Sequence, residues 1–441
     1  MLDPRQLLFS GAKSQGRMDR LAGLLVLIVA VLTLVAARST AIMLPLLAGC
    51  ILAIALAEWQ RIPVTTSALT LTLWTSLVYG LLSSLWSLDR GDAMEHVLSA
   101  MLMFVSARWV VLWLRHQSED RLRLMTCCLL IGFAAGVSYV AIEAVSSYGV
   151  KRFFLNAFAF FEPDVAANAY PLDKSGHAVI NTSELNRNVA AINLMLWPAL
   201  FCVALFCRNS LRPFVFVIAM LMVALATFAS DHETSKLTWA ISPLVFFLAR
   251  WRPEIAYRGL AATWIVLTLA IVPLSIVAYD LIAPDKASWL QHSARHRIII
   301  WKNLSTQVAD HPIFGVGARS TRIFNARGKL SPAAPGPVDM NAIPPHPHNV
   351  YLQTWFELGL VGALLLLASG LLMLNRITLC SPATVPYMMA TFTVGMVEIA
   401  ASWDLWQRWF FALLALSAVW TILAARYHRA QSAAKDKPAS T

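Results

Sequence analysis

The sequence predicts an all-α polytopic membrane protein with about twelve transmembrane helices. Of its 441 residues, 58% are hydrophobic and only 13% are charged, whereas a soluble domain carries roughly a quarter charged residues. Uncharged apolar runs such as 21–37, 213–230 and 358–375 are close to the length that crosses about 30 Å of hydrocarbon. No segment alternates like a barrel strand, and a backbone in lipid must satisfy its own hydrogen bonds. The spans are therefore predicted to be helices.

The predicted spans divide the chain into five segments. Residues 1–20 form a basic N-terminal segment, expected to stay in the cytoplasm because no cleavage site precedes the first apolar run. The remaining segments are 21–282 (spans one to nine, with a loop at 147–188), 283–348 (a large loop), 349–426 (the last three spans) and 427–441 (a cytoplasmic tail). The spans lie near 21–37, 41–58, 67–87, 94–114, 122–146, 189–207, 213–230, 235–249, 259–282, 349–374, 385–401 and 408–426. The span at 235–249 is short, and its loss would invert the orientation of everything downstream.

Charge placement predicts the orientation. With the N-terminus inside, the cytoplasmic segments hold most of the Lys and Arg residues of the short connections. The short loops on the other side hold one basic residue each, Arg38, Arg90, Lys236 and Arg408. This asymmetry follows the positive-inside rule. It explains most of the net charge of +11 without a nucleic-acid partner, and it places both long loops outside the cytoplasm.

The second long loop has two parts. Apolar residues recur with helical spacing over 287–310, which predicts an amphipathic helix along the membrane surface. Six prolines from Pro332 to Pro347 then predict an extended approach to the next span.

Two histidines stand where this approach ends. A proline precedes each of His346 and His348, so both imidazoles are held just above the start of a membrane helix that Asn349 can cap. A histidine at a helix N-terminus tends to stay unprotonated and available as a base. The alternative interpretation is that both residues only cap or pack the loop.

Several short motifs occur in a fixed order over about residues 180–375. They are Asn186-Arg187-Asn188, Arg297-x-x-x-Trp301, Pro312-x-x-Gly315-x-Gly317, and His348-Asn349-x-x-Leu352 followed by Glu357-x-Gly359-x-x-Gly362. The set resembles the O-antigen ligase and O-antigen polymerase superfamily, whose His-Asn-x-x-Leu motif begins the helix after the large periplasmic loop. Thr234-Ser235-Lys236 stands where that family usually has Thr-x-Ser-Arg, so Lys236 departs from the pattern.

The resemblance implies a GT-C-like membrane glycosyltransferase in the bacterial inner membrane, with its active site facing the periplasm. The expected reaction transfers a glycan from undecaprenyl pyrophosphate to a sugar hydroxyl of lipid A–core and inverts the anomeric carbon. The donor leaves as an anion that arginines can bind, so no metal and no cofactor are expected. The six cysteines have no ligand-like spacing with a histidine, which agrees with that expectation. The oligomeric state is left open.

The resemblance also implies roles for particular residues. His348 is the predicted base, with His346 as its helper or substitute. Arg187 and Arg297 are predicted to bind the pyrophosphate, with Lys236 as a weaker third. The supporting residues are Asn349, Asn186, Asn188, Glu357 and Trp301, with Glu357 bracing its helix against a neighbour. For each basic residue the alternative is contact with lipid phosphates or capping of a loop.

Three other functions remain open at this stage. An O-antigen polymerase, or more distantly a protein oligosaccharyltransferase, would carry the same motifs. A flippase or transporter fits twelve spans, but it is expected to show repeated halves and interrupted helices at the midplane. The polar residues of this chain instead concentrate in asymmetric outer loops.

Overall fold

The computed structural model describes residues 16–161, 180, 182–284, 287, 289–326 and 346–435. The prediction of an extended approach over 332–345, and much of the loop at 147–188, lie outside the described residues. The α-helices of the described part are α1 (Arg17–Val35), α2 (Thr40–Ala57), α3 (Ala68–Ser83), α4 (Arg90–Leu114), α5 (Glu119–Val145), α6 (Gly149–Phe161), α7 (Asn186–Phe206), α8 (Arg212–Phe228), α9 (Glu233–Trp251), α10 (Pro253–Leu269), α11 (Ile271–Ile282), α12 (His292–Gln307), α13 (Ser320–Ala326), α14 (Val350–Thr378), α15 (Val385–Ala401) and α16 (Arg408–Lys435).

The all-α polytopic membrane class is confirmed. A helix covers each of the twelve predicted spans, and no strand occurs among the described residues. Eight described helices are long and apolar enough to cross a membrane, and α8 and α15 are shorter apolar helices. That all twelve stretches cross the bilayer stays a prediction.

The ninth predicted span is wrong as a single helix. The stretch 259–282 is divided into α10 and α11, and the chain bends by 80° between them, around Ala270. The Trp355 indole donates to the carbonyl of Thr268 (2.7 Å), at the end of α10. Pro273 lies in the first turn of α11, where a proline is tolerated because its missing N–H would be unpaired.

The chain forms two compact units. Unit 1 contains residues 1–63, 106–243 and 413–441, and unit 2 contains residues 64–105 and 244–412. In unit 1 the central helix is α7, which is buried continuously from Val189 to Val203. α1 packs against α5 at Gly136, where a Cβ would lie only 2.5 Å from the Cβ of Leu34, as is typical of small residues between membrane helices.

In unit 2 the main helix is α14, which packs against α3, α10 and α15. Gly370 lies against the indole of Trp264, which also donates to the carbonyl of Leu367 (3.2 Å). This helix carries the predicted His-Asn-x-x-Leu and Glu-x-Gly-x-x-Gly motifs, so its geometry determines the candidate site.

Candidate active site in unit 2

α14 is broken at Gly359, whose φ of 63° and ψ of −159° are not helical. This region is essentially restricted to glycine. The segment 312–317, which holds the predicted Pro-x-x-Gly-x-Gly motif, hydrogen-bonds to α14 at the break. Its four backbone bonds are Val316 N to Phe356 O (3.0 Å), Gly317 N to Glu357 O (2.9 Å), Leu360 N to Pro312 O (2.9 Å) and Val361 N to Ile313 O (3.2 Å). A backbone that leaves the helical conformation inside a membrane span needs such protein partners. The two motifs therefore form one structural unit.

Glu357 lies beside this break and is completely buried. Its carboxylate accepts from the backbone N–H of Arg319 (2.9 Å) and from the N–H (3.1 Å) and hydroxyl (2.6 Å) of Thr321. It also accepts from the amide of Gln353 (3.1 Å) and from the indole of Trp406. Glu357 thus joins α14 to the segment 319–321 and to the connection between α15 and α16.

Further charged side chains adjoin Glu357; Asp404 is buried, and Asp92 and Arg319 are partly buried. The Arg319 guanidinium donates to Asp92 (3.0 Å) and to Asp404 (2.6 Å). Asp404 also accepts from the side-chain amide of Gln353 (2.7 Å). We call these five residues, Asp92, Arg319, Gln353, Glu357 and Asp404, the polar cluster. Ionisable residues buried among membrane helices are by default candidates for function.

Four members of the polar cluster, all except Glu357, are not among the site residues predicted from the sequence. Asp404 and Asp92 lie far from the motif region of the sequence, and Arg319 was one basic residue among several in the second long loop. The signal for Arg319 was its place two residues after Gly317, where the motif fixes the backbone. Its φ of 65° is rare for a residue other than glycine.

The histidine segment, residues 346–349, lies above the start of α14. Asn349 is the N-cap, as predicted, and its side-chain oxygen accepts from Leu352 N (3.0 Å). The His348 Nδ1 lies 2.6 Å from the carbonyl oxygen of Ser402, at the end of α15. The imidazoles of His346 and His348 are in contact, with ring centroids 4.2 Å apart. His348 has a φ of 55°, a strained conformation that surrounding contacts must maintain.

Trp301 provides one of these contacts. Its indole donates to the carbonyl of Pro347 (2.7 Å), between the two histidines. Trp301 lies on α12, within the stretch predicted to form an amphipathic helix. Arg297 lies one turn earlier on the same helix face.

The pKa of His346 is lowered from its ordinary value. Burial is the main cause, because it disfavours the charged imidazolium. The Asp404 carboxylate opposes the shift, and the positive charges of Arg319 and Arg297 add to it. His346 Nε2 lies 3.4 Å from the side-chain nitrogen of Gln407, and its Nδ1 has no partner among the described residues. The physical effect is a neutral His346 near pH 7.

The other predicted site residues belong to unit 1. Arg187 lies in the first turn of α7. Asn188 donates to the last carbonyls of α1, those of Leu34 (2.6 Å) and Val35 (2.8 Å), so it ties two helices together. Lys236 forms an ion pair with Glu233 (2.8 Å) in the first turn of α9.

The structure therefore brings part of the predicted site together within unit 2. His346, His348, Asn349, Trp301 and Glu357 are linked there, directly or through the polar cluster, and Arg297 acts on the charge state of His346. Arg187, Lys236 and the Asn186–Asn188 motif belong to unit 1. That Arg187, Arg297 and Lys236 bind the pyrophosphate stays a prediction.

The fold and the polar cluster define a multi-pass helical membrane protein with buried ionisable residues beneath a pair of loop histidines. Comparison with known proteins shows which family the chain resembles. Residues 217–367 match the sequence model of the family described as O-antigen ligase. The motif-based resemblance to the O-antigen ligase family is thus confirmed over residues 217–367.

Curated relatives agree with this family. A protein of Rickettsia conorii named "putative polysaccharide ligase" is 24% identical over 69% of this chain and 67% of its own length. A protein of the same name from Rickettsia felis is 25% identical over 61% of this chain and 64% of its own length. One from Rickettsia bellii is 23% identical over 67% of this chain and 65% of its own length. The matched segments span about two thirds of these relatives, or slightly less.

Proposed function

We propose that the protein transfers a glycan from undecaprenyl pyrophosphate to a sugar hydroxyl of lipid A–core on the periplasmic face of the bacterial inner membrane. The contact between His348 Nδ1 and the Ser402 carbonyl (2.6 Å) carries this proposal. A carbonyl oxygen only accepts hydrogen bonds, so the proton of a neutral His348 sits on Nδ1 and the lone pair is on Nε2. His348 is thereby prepared to act as a base.

In the proposed reaction, His348 Nε2 accepts the proton of the acceptor hydroxyl. The acceptor oxygen forms a bond to the anomeric carbon of the donor sugar from the face opposite the leaving group. The bond from that carbon to the pyrophosphate oxygen breaks, and undecaprenyl pyrophosphate leaves with the electron pair. Configuration at the anomeric carbon is inverted, and no metal takes part. The neighbouring His346, which burial keeps neutral, is the helper.

The pyrophosphate is proposed to bind Arg297 and Arg187, with Lys236 as a third cation. Guanidinium groups are always charged and hold phosphate oxygens in a two-pronged geometry. The support for Arg297 is its place on α12, one turn before Trp301, whose indole bonds to the Pro347 carbonyl between the two histidines. Lys236 is already paired with Glu233, which makes it the weaker candidate, and the place of Arg187 rests on the motif.

The test is glycan transfer by purified protein in the presence of a metal chelator. The substrates are undecaprenyl-pyrophosphate O-antigen and lipid A–core. The wild type is expected to form smooth lipopolysaccharide and His348→Ala to lose this activity. The control is His311→Ala, because His311 is an exposed histidine of the same predicted loop, and it should retain activity.

Other outcomes would contradict the proposal. Activity only with a second lipid-linked repeat unit as acceptor would identify a polymerase. A strict requirement for a divalent metal would refute the arginine-based mechanism. Full activity of His348→Ala would show that His348 is not the base.

A further inference from the structure

The turn between α15 and α16 is held by a side chain of α14. Gln353 is buried, with 1% of its surface exposed. Its Nε2 donates to Asp404 Oδ1 (2.7 Å), and its Oε1 accepts from Leu405 N (3.0 Å). The same Nε2 donates to Glu357 (3.1 Å). Gln353 therefore contacts the turn at two successive residues and connects it to the broken part of α14.

This turn also carries the partner of His348. Ser402 follows the last residue of α15, with a φ of −122° and a ψ of −58°. Its carbonyl faces His348 Nδ1. Because Ser402 lies outside the regular helix, the direction of its carbonyl depends on what holds residues 404 and 405. Gln353 holds both of them, only about one and a half helical turns after His348.

We propose that Gln353 is a positioning residue for the base: by fixing the turn at 402–405 it aims the Ser402 carbonyl at His348 and so selects the imidazole tautomer with its lone pair on Nε2. Gln353 itself does not touch the substrate. This inference rests on the proposed function, in which His348 is the base. If His348 is a mixture of both tautomers, or if its ring is displaced, Nε2 accepts the proton of the acceptor hydroxyl less often.

Gln353 is the member of the polar cluster with which positioning can be tested separately from charge. Asp404 and Arg319 both act directly on the protonation of His346, so replacing either one changes the charge around the histidines. Gln353 is neutral, and Gln353→Met keeps a straight side chain of similar size. The change removes the three hydrogen bonds of Gln353 and leaves every formal charge in place.

The matched control is Thr354→Val. Thr354 is the next residue of α14, is equally buried, and its hydroxyl donates only to the Val350 carbonyl of the same helix (2.7 Å). In a second variant, Gln353→Asn, the amide is kept but the side chain is one methylene shorter, so the amide no longer reaches Asp404 and Leu405. This variant tests the inference if Gln353→Met does not fold. Size-exclusion profiles of all three variants in detergent check that they fold.

Two measurements are made on each variant. The first is kcat and the donor KM in the transfer assay. The second is the tautomer of His348 from nitrogen NMR of protein labelled at histidine, with the His348 signal assigned by its loss in His348→Ala. We expect both Gln353 variants to lower kcat by roughly 10- to 100-fold, the loss typical of a displaced catalytic group. The donor KM should be unchanged and the Nδ1–H tautomer no longer dominant. Thr354→Val should resemble the wild type in both measurements.

The results separate this inference from the proposed function. If Gln353→Met lowers kcat while His348 keeps the Nδ1–H tautomer, Gln353 acts only as structural support and the inference is overturned. The same holds if the tautomer changes without a loss of kcat, or if neither changes. If His348→Ala retains the kcat of the wild type, the proposed base is wrong, whatever the tautomer of His348 in the Gln353 variants.

Discussion

The break in α14 predicts a large effect of the smallest possible substitution, Gly359→Ala. A Cβ at this position would lie 2.4 Å from both the carbonyl carbon and the oxygen of Ile313, and 2.6 Å from Gly315 N. These distances are about 1 Å shorter than an ordinary contact, which begins at 3.4 Å. The opposing atoms are backbone, so no rotation of a side chain can relieve the overlap.

The magnitude follows from two terms. A residue other than glycine in this backbone region costs about 1–3 kcal/mol. Moving the segment 312–317 by about 1 Å would lengthen its four hydrogen bonds to α14. The loss of two such bonds costs about 2 kcal/mol. The expected loss is therefore about 3–5 kcal/mol, a large part of a typical folding free energy of about 5–15 kcal/mol.

A thermal unfolding scan followed by tryptophan fluorescence measures this loss, because the buried Trp264, Trp406 and Trp409 lie in unit 2 and become exposed when it unfolds. A domain of about two hundred residues, the size of unit 2, shifts its Tm by roughly 2–4 °C per kcal/mol, so Gly359→Ala should melt roughly 6–20 °C below the wild type. The control is Gly259→Ala in α10, also in unit 2. There a Cβ meets nothing within 4 Å, and alanine favours the helix by up to about 1 kcal/mol. Equal melting of Gly359→Ala and wild type would refute the close packing at the break.

Three further predictions concern the candidate site. Arg297→Ala and Arg297→Lys should both raise the donor KM, the former by roughly 10- to 100-fold if a charged hydrogen bond of about 1.5–3 kcal/mol is lost; an unchanged KM in the transfer assay would exclude Arg297 from the donor site. Asn188→Ala should lower the unfolding free energy by about 1–2 kcal/mol, because it loses two bonds to the end of α1, without raising the donor KM. Arg187→Ala should raise the donor KM without lowering the unfolding free energy. Equal effects of the two variants would contradict the assignment of a structural role to Asn188 and a binding role to Arg187. The pKa of His346 is lowered in the folded protein, so on acidification the unfolded chain binds a proton at this residue at a higher pH than the folded chain does. The contribution of His346 to stability is therefore complete above about pH 6.5 and is lost as the pH falls through the folded pKa. His346→Gln should therefore weaken the fall of Tm on acidification, whereas replacing the exposed His116 by Gln should not.

The helices could be predicted because hydropathy is a local property of the sequence. Each of the twelve apolar stretches is helical, and the Asn349 cap was predicted from the residues directly around it. The divisions within helices were harder to predict. The stretch around Ala270 stays apolar throughout, and only Pro273 indicates in the sequence that the helix ends there. The conformation at Gly359 depends on the segment 312–317, more than forty residues away.

The polar cluster could not be predicted from one sequence because its contacts are not local. Asp92 and Arg319 are separated by 227 positions, and Arg319 and Asp404 by 85. Composition marks each of them only as a charged residue in a loop or at the end of a helix. The resemblance predicted the order of the motifs, but not that the Trp301 indole contacts the backbone between the two histidines.

The hydrogen bonds of Glu357 explain why the Pro-x-x-Gly-x-Gly and Glu-x-Gly motifs occur together. A carboxylate offers about four lone-pair sites, and five donor groups from Arg319, Thr321, Gln353 and Trp406 fill them, two of the five coming from Thr321. The buried charge is thereby compensated, and no acceptor position is left for a substrate. Because the helix breaks at Gly359, the carbonyl of Glu357 can accept from Gly317 while its side chain accepts from the backbone two residues later. Glu357 therefore fixes the backbone at Gly317 and at Arg319, and the Arg319 side chain reaches Asp404. Asp404 lies in the turn between α15 and α16, where the Ser402 carbonyl faces His348. The geometry of His348, the proposed base, is in this way connected to the break in α14 through the buried Glu357.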